Sequence, residues 1–289
     1  MVTPVTASGD LDEPAVDRLV DFLLEGGVKA IFVAGTTGES VGVSRPMRRR
    51  LVERTVARVQ RRALVYAGLG DLHPDEVSTG NEYLLAGADA VVARPPVSFP
   101  SQKLLPWCRS LLAGLEVPML LYNIPATTKV SIPLKAVAQL VGNPKLVGIK
   151  DSENNPTRLE ELLQRFGNQP QFSVFIGVGS FMVPGMKHGA ASIVPSVGNL
   201  IPDVCQKFYE SARRGDWDDA KHHFVRMHAV TEIYQKDRTL SESLAILKAA
   251  MACRGLCAPH VLPPLHPLSQ AGRQALHKEM ATLHLLEGT

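Results

Sequence analysis

Residues 26–35 read GGVKAIFVAG, and the same phrase returns as GADAVVA at 87–93 and as GAASIVPS at 189–196. Each time a helical pattern gives way to glycine, then to a small residue, then to a short β-rich run. A glycine so placed suits the C′ position of a helix, where a positive φ costs it little. The phrase marks a helix-to-strand junction, and its recurrence marks a repeated strand-and-helix unit.

Apolar runs of strand length fall near residues 2–5, 30–34, 63–68, 89–93, 117–122, 146–150, 172–176 and 190–194. Most intervals between them are long enough for the crossover helix that a parallel pair of strands requires. Helical periodicity fills those intervals. Val16, Leu19, Val20 and Leu23 follow Asp12 as an N-cap, while Met47, Leu51, Thr55, Val56 and Val59 follow Ser44, with Pro46 in the first turn. A run such as VPMLLY at 117–122 suits a strand buried on both faces. About eight such units within roughly 200 residues fit a closed barrel better than an open doubly wound sheet. The pattern predicts an α/β fold, a (β/α)8 TIM barrel over residues 1–200, with a short helix within Phe181 to Lys187 between its last two strands. Beyond Ile201 the strand signal stops. Helices are expected near 203–214, 217–236, 240–254 and 269–285, broken by APHVLPPLHP at 258–267, so that residues 201–289 complete the barrel and add a C-terminal helical appendix.

The composition narrows the function. With 45% hydrophobic and 20% charged residues, 289 residues can build a large core. The net charge of +3, from 31 Lys and Arg against 28 Asp and Glu, is too small and too scattered for a polyphosphate partner. Arg48, Arg49, Arg50, Arg54, Arg58, Arg61 and Arg62 make one helix basic, but they share it with a core stripe and no interleaved aromatics offer base stacking, so a solvated face is expected. No stretch of ~18 uncharged apolar residues predicts a membrane span. Cys108, Cys205, Cys253 and Cys257 form no CxxC pair and suit reduced thiols in the cytoplasm. The histidines show no HExxH spacing, and no metal is expected.

In a barrel of this kind the chemistry sits at the C-terminal ends of the strands. Three polar groups fall there: Gly35-Thr36-Thr37-Gly38-Glu39, Tyr122-Asn123 and Lys150-Asp151. Period-two alternation puts Lys150 on the face of Gly148, which would leave room beside a long inward side chain. A low-dielectric barrel mouth favours the neutral, nucleophilic amine of a lysine, as a Schiff base requires. The competing reading is a lysine that reaches solvent or pairs with Asp151. Tyr122 can bury its ring and offer its hydroxyl as a proton shuttle, or it can be a core tyrosine bonded to backbone. GTTGE supplies two hydroxyls and backbone N–H groups to a carboxylate, unless it is only a turn. Gly177-Val178-Gly179-Ser180 is a second anion-compatible turn.

Taken together, GTTGE, YNIP and GIKD in this order, with VTP at 2–4 and FPSQ at 99–102, resemble the dihydrodipicolinate synthase/N-acetylneuraminate lyase family of pyruvate-dependent class I aldolases. The resemblance implies that Lys150 forms an imine with the keto carbon of a 2-keto acid and that Tyr122 shuttles protons, with Thr37 linked to it. It implies further that Thr36, Thr37, Gly38, Gly177, Gly179, Thr127 and Ala191 line the substrate, that no cofactor is needed, and that the chain forms a homotetramer or dimer.

Departures guide the choice of member. The synthases usually carry an arginine five positions after this tyrosine, where Thr127 stands here, and a tyrosine in the stretch matching 94–102, where Val97 is the nearest counterpart. The acidic pair of sialic acid lyases appears as Gly179-Ser180. A keto-deoxy sugar acid or a 4-hydroxy-2-oxoacid therefore leads as substrate, with condensation of pyruvate and aspartate semialdehyde second. A non-catalytic keto-acid-binding barrel and a metal-dependent aldolase remain as alternatives.

Overall fold

The glycine phrase closes its helices as the sequence predicts. A computed structural model describes residues 1–70 and 75–286, which leaves 71–74 and the last three residues of the expected appendix outside the described residues. In chain order the regular elements begin with α1 (Glu13–Glu25), β1 (Ala30–Val33), α2 (Arg45–Val59), β2 (Leu64–Gly68), α3 (Glu76–Leu85) and β3 (Ala90–Ala93). They continue with α4 (Ser101–Gly114), β4 (Met119–Asn123), α5 (Pro125–Thr128), α6 (Leu134–Ala138), β5 (Leu146–Asp151), α7 (Pro156–Phe166), β6 (Ser173–Ile176), α8 (Met182–Lys187) and β7 (Ser192–Ile193). Helices α9 (Pro202–Arg214), α10 (Trp217–Gln235), α11 (Leu240–Cys253) and α12 (Gln270–Thr282) follow.

After α1, α3 and α8 the same cap recurs. Val28, Ala88 and Ala190 donate their N–H groups five residues back, to Leu23, Tyr83 and Gly185. The preceding Gly27, Gly87 and Gly189 have φ of 84°, 93° and 94°. These are Schellman closures, and they need a residue at ease in the left-handed region. In the first phrase that residue is Gly27. Gly26 serves a different end, because a Cβ there would lie 2.4 Å from Cγ of Pro202.

The chain divides into two units. One comprises Met1–Val65, Ser196–Lys207 and His222–Thr289, and the other Tyr66–Pro195 and Phe208–Lys221. In the second unit β2 to β7 pair in chain order, each parallel to the next. Every residue of β3 and β4 is buried, as expected of strands covered on both faces. In the first unit β1 adjoins the start of β2, where the Leu64 N–H donates to the Lys29 carbonyl at 2.9 Å. Asp12 caps α1 and Ser44 caps α2, each side chain accepting the N–H three residues on.

One expected strand is absent. Residues 2–5 form no ladder of their own: Val5 makes only an isolated antiparallel bridge to Leu11. Pro4 has no N–H to give, and the Val2 N–H goes instead to Oδ1 of Asn199 at 3.0 Å. Val5 still reaches the core, packed with Val43 and Leu262.

The basic face of α2 meets an acidic face of α1. Arg50, Arg54 and Arg58 pair with Glu13, Asp17 and Asp21, three rungs each one helical turn apart. Each rung is bidentate, and Arg50 reaches Glu13 at 2.6 and 2.9 Å. The hydrogen bond from Arg50 holds the Glu13 carboxyl below its ordinary value, so this rung adds stability above the unfolded pKa and loses it as pH falls through the lowered one. Glu13→Gln should lower the melting temperature slightly at pH 7 and low salt, and the difference from the parent should close as pH drops well below about 4.3. Circular-dichroism melts at pH 7 and pH 3 check this, and an equal gap at both would exclude the carboxylate charge as its source.

Candidate active site

The parallel register of β4 and β5 sets Tyr122 directly beside Lys150. Both are the penultimate residues of their strands, so both stand at the C-terminal edge of the sheet. The Lys150 Nζ lies 4.2 Å from the centroid of the Tyr122 ring, within cation–π distance. Tyr122 is 4% exposed, and Lys150 is half-buried. The pair has the elements of imine chemistry: an amine that can attack a carbonyl, held against a phenol that can carry a proton.

Gly177, just past β6, completes this corner. A Cβ there would lie 2.0 Å from Oγ of Ser152 and 3.1 Å from Cε of Lys150, so glycine avoids a clash with Ser152 and leaves the lysine stem uncrowded. This corrects the sequence reading of Gly148. A Cβ on Gly148 would instead meet the Ser173 carbonyl oxygen at 2.3 Å, and that glycine admits the neighbouring strand. The alternation of the strand is as expected, but the glycine that lies against the lysine stem is Gly177, past the next strand over.

Asn123 and Asp151 face away from Tyr122 and Lys150, because successive side chains alternate. Both are buried, and they build a polar cluster that sequence reading missed. Oδ2 of Asp151 accepts from Nδ2 of Asn123 and from Nε of Arg158, both at 2.9 Å. Glu153 accepts from Asn123 at 3.0 Å and from the Ser131 hydroxyl at 2.6 Å, and its carboxylate is 3.3 Å from Arg158 Nε. Oδ1 of Asn123 accepts the Ile132 N–H at 2.9 Å. The cluster ties the ends of β4 and β5 to α7 and to the segment after α5. Asp151 turns its carboxylate to Arg158, on the opposite side of the strand from Lys150, so it is not the lysine's ion-pair partner. The only signal in the sequence was a polar residue following each of the two site residues.

The remaining expected residues fall as follows. Thr36–Gly38 form a single 3-10 turn, and a Cβ on Gly38 would come within 3.0 Å of the Met1 carbonyl oxygen. Thr36 and Thr37 are half-buried in the first unit. Thr127 sits in α5, its hydroxyl donating to the Ile124 carbonyl at 3.2 Å. Gly179 opens a 3-10 turn and is exposed, with open space where a Cβ would point. The Ala191 N–H donates to the Val174 carbonyl at 2.9 Å, continuing the β6–β7 ladder. Val97, beside Ser98 with its φ of 56°, is 59% exposed. The thiols are poor nucleophiles: burial pushes Cys108 and Cys257 up to about 12 and raises Cys205 further. Among the described residues no three His, Cys, Asp or Glu side chains are grouped to hold a metal ion.

A parallel α/β sheet with an amine and a phenol side by side at its C-terminal edge defines the class as an α/β protein equipped for carbonyl chemistry. Comparison with known proteins makes this specific. The chain belongs to the dihydrodipicolinate synthetase family, whose model matches residues 1–283. It is 32% identical over 279 residues to the 4-hydroxy-tetrahydrodipicolinate synthase of Phenylobacterium zucineum, covering 94% of this chain and 92% of that one. Among solved structures it resembles dihydrodipicolinate synthase from Bacteroides thetaiotaomicron, with a TM-score of 0.92 at 29% identity, covering 98% and 96% of the two chains. It also resembles a prophage protein of that family from E. coli K12 in complex with pyruvate, with a TM-score of 0.90 at 26% identity over 98% and 96%.

Arg158 and Asp151 have side chains 8% and 6% exposed, so removing the cation strands two carboxylates in the protein interior. Arg158→Leu should cost about 3–5 kcal/mol, read as a lower urea midpoint at unchanged slope. A shift below about 1 kcal/mol, the range of an exposed pair, would show that the cluster is open to solvent.

Proposed function

We propose that this chain is a class I aldolase or lyase that makes or breaks a carbon–carbon bond of a 2-keto acid through an imine on Lys150. The observation that carries the reading is the Lys150 amine 4.2 Å from the Tyr122 ring. Family membership and the pyruvate bound to the related prophage protein support it.

In this reading the Lys150 Nζ adds to the C2 carbonyl, Tyr122 carries protons through the carbinolamine, and one water leaves as the iminium forms. The iminium takes up the electron pair of the C3–C4 bond as an aldehyde departs, and the resulting enamine is protonated at C3. Water then hydrolyses the imine, freeing pyruvate and restoring the amine; condensation runs the same steps in reverse. The iminium itself is the electron sink, so no cofactor enters. Gly177, Gly179, Thr127 and Ala191 line the substrate, and the Thr36-Thr37-Gly38 turn offers hydroxyls and N–H groups to a carboxylate. The chain assembles as a dimer or tetramer in the cytoplasm.

Thr127 bears on the aldehyde half. It is uncharged, and its hydroxyl is engaged by the Ile124 carbonyl, so it supplies no charged fork for a second carboxylate. This favours cleavage of a keto-deoxy sugar acid or a 4-hydroxy-2-oxoacid over condensation of pyruvate with aspartate semialdehyde.

Incubation with pyruvate and borohydride, followed by peptide mass spectrometry, should place a reduced adduct on Lys150 and none on Lys150→Ala. Absence of an adduct in folded protein would sink the imine reading. Gly177→Ala, whose added Cβ would push Ser152 aside and crowd the lysine stem, should slow trapping by about tenfold. Condensation of pyruvate with aspartate semialdehyde as fast as cleavage of any 4-hydroxy-2-oxoacid would reverse the preference drawn from Thr127.

A further inference from the structure

Tyr122 and Lys150 are each followed by a buried polar residue, and those two residues are bonded to each other. Nδ2 of Asn123 donates to Oδ2 of Asp151 at 2.9 Å. Asn123 has no exposed surface, and its other bonds also reach beyond β4. Nδ2 donates to Glu153 at 3.0 Å, Oδ1 accepts the Ile132 N–H at 2.9 Å, and its carbonyl accepts the Ser152 N–H at 2.8 Å. Asp151 is held as fully. Its Oδ1 accepts the Glu153 N–H at 3.0 Å, its Oδ2 also takes Nε of Arg158 at 2.9 Å, and its carbonyl accepts the Gly177 N–H at 2.8 Å. All these residues lie in the second unit.

The backbone just past Lys150 is therefore tied to β4 through Ser152, to the end of β6 through Gly177, and to α7 through Arg158. A single intramolecular hydrogen bond adds little net stability. What the bond from Asn123 to Asp151 supplies is a fixed separation between two strand ends. Such ends fray more readily than strand centres, because the ladder supports them from one side only. The amine and the phenol stand at two of them, and a reacting group misplaced by about 1 Å can lose about a hundredfold in rate.

We propose that Asn123 is a positioning residue: by joining the residues that follow the reactive pair, it holds the Tyr122 phenol where it can serve the Lys150 amine during imine formation. The proposal rests on the imine reading above and extends it to a side chain on the opposite face of the strand, which touches no reacting atom. A purely structural Asn123 would add stability and leave the chemistry of the folded protein unaffected by its loss. A positioning Asn123 acts on the rate, and only while the phenol is there to be positioned.

The test follows imine formation on Lys150 by quenching with borohydride at timed intervals over a range of pyruvate. It compares the parent with Asn123→Ala, Tyr122→Phe and the double variant, each below its melting transition. Asn123→Ala should lower the maximal rate by about tenfold to a hundredfold, with the half-saturating pyruvate concentration within about threefold of the parent. In the Tyr122→Phe background the same substitution should cost about twofold or less, because the hydroxyl is gone. Losses that multiply in the double variant, a loss confined to half-saturation, or an unchanged rate in folded Asn123→Ala would overturn the proposal and leave the cluster a structural one. A Tyr122→Phe variant as fast as the parent would overturn it as well. If Asn123→Ala does not fold, Asn123→Ser carries the same comparison, since its hydroxyl keeps one donor in the cluster. Failure of the parent to form the imine is a separate result, which removes the imine reading and this proposal with it.

Discussion

The in-register pairing of β4 with β5 is the constraint on which the site depends. Lys150 stands beside Tyr122 because Leu120 pairs with Gly148, and each later residue pairs in step as far as Asn123 with Asp151. A slip by one residue would exchange the two faces of a strand and send the lysine into the helical layer. The polar cluster behind the ladder resists that slip. Asn123 and Asp151 bond to each other across the two strands and to Arg158, so a shifted register would leave buried carboxylate and amide groups unpaired. The chemistry faces one way and the hydrogen bonds that hold it in place face the other.

What could be read from the sequence was what is local. The caps Asp12 and Ser44, the glycine closures and the four C-terminal helices depend on residues within one or two turns, and each stands within about three residues of its predicted place. Lys150 and Tyr122 could be picked out because strand ends and period-two alternation are also local. What escaped reading was set by distant partners. The N–H of Val2 goes to a side chain 197 residues away, which is why an apolar run at 2–5 is not a strand of its own. Glu39 and Lys248 are 209 residues apart, and nothing beside either shows that they meet. Gly148 and Gly177 show the same limit: one strand places the lysine, but the glycine against its stem follows another.

Charge is used differently at depth and at the surface. The Asp151–Arg158 and Glu39–Lys248 pairs are almost wholly enclosed, where misplacing a partner is costly and geometry is therefore strictly held. The rungs between α1 and α2 are partly exposed, where each pair adds little and salt weakens it. The buried pairs fix particular backbone segments, whereas the exposed rungs join two helices along their length.

The rungs also change what the arginine-rich helix presents at a distance. Counted along the sequence, α2 looks like a source of strong positive potential. With Arg50, Arg54 and Arg58 each matched to a carboxylate, those charges become close dipoles, whose field dies away faster than that of single ions. Screening beyond a Debye length of about 8 Å removes most of the remainder. An approaching small anion is therefore not drawn to this flank, and a polyanion finds no continuous stripe along which to lie.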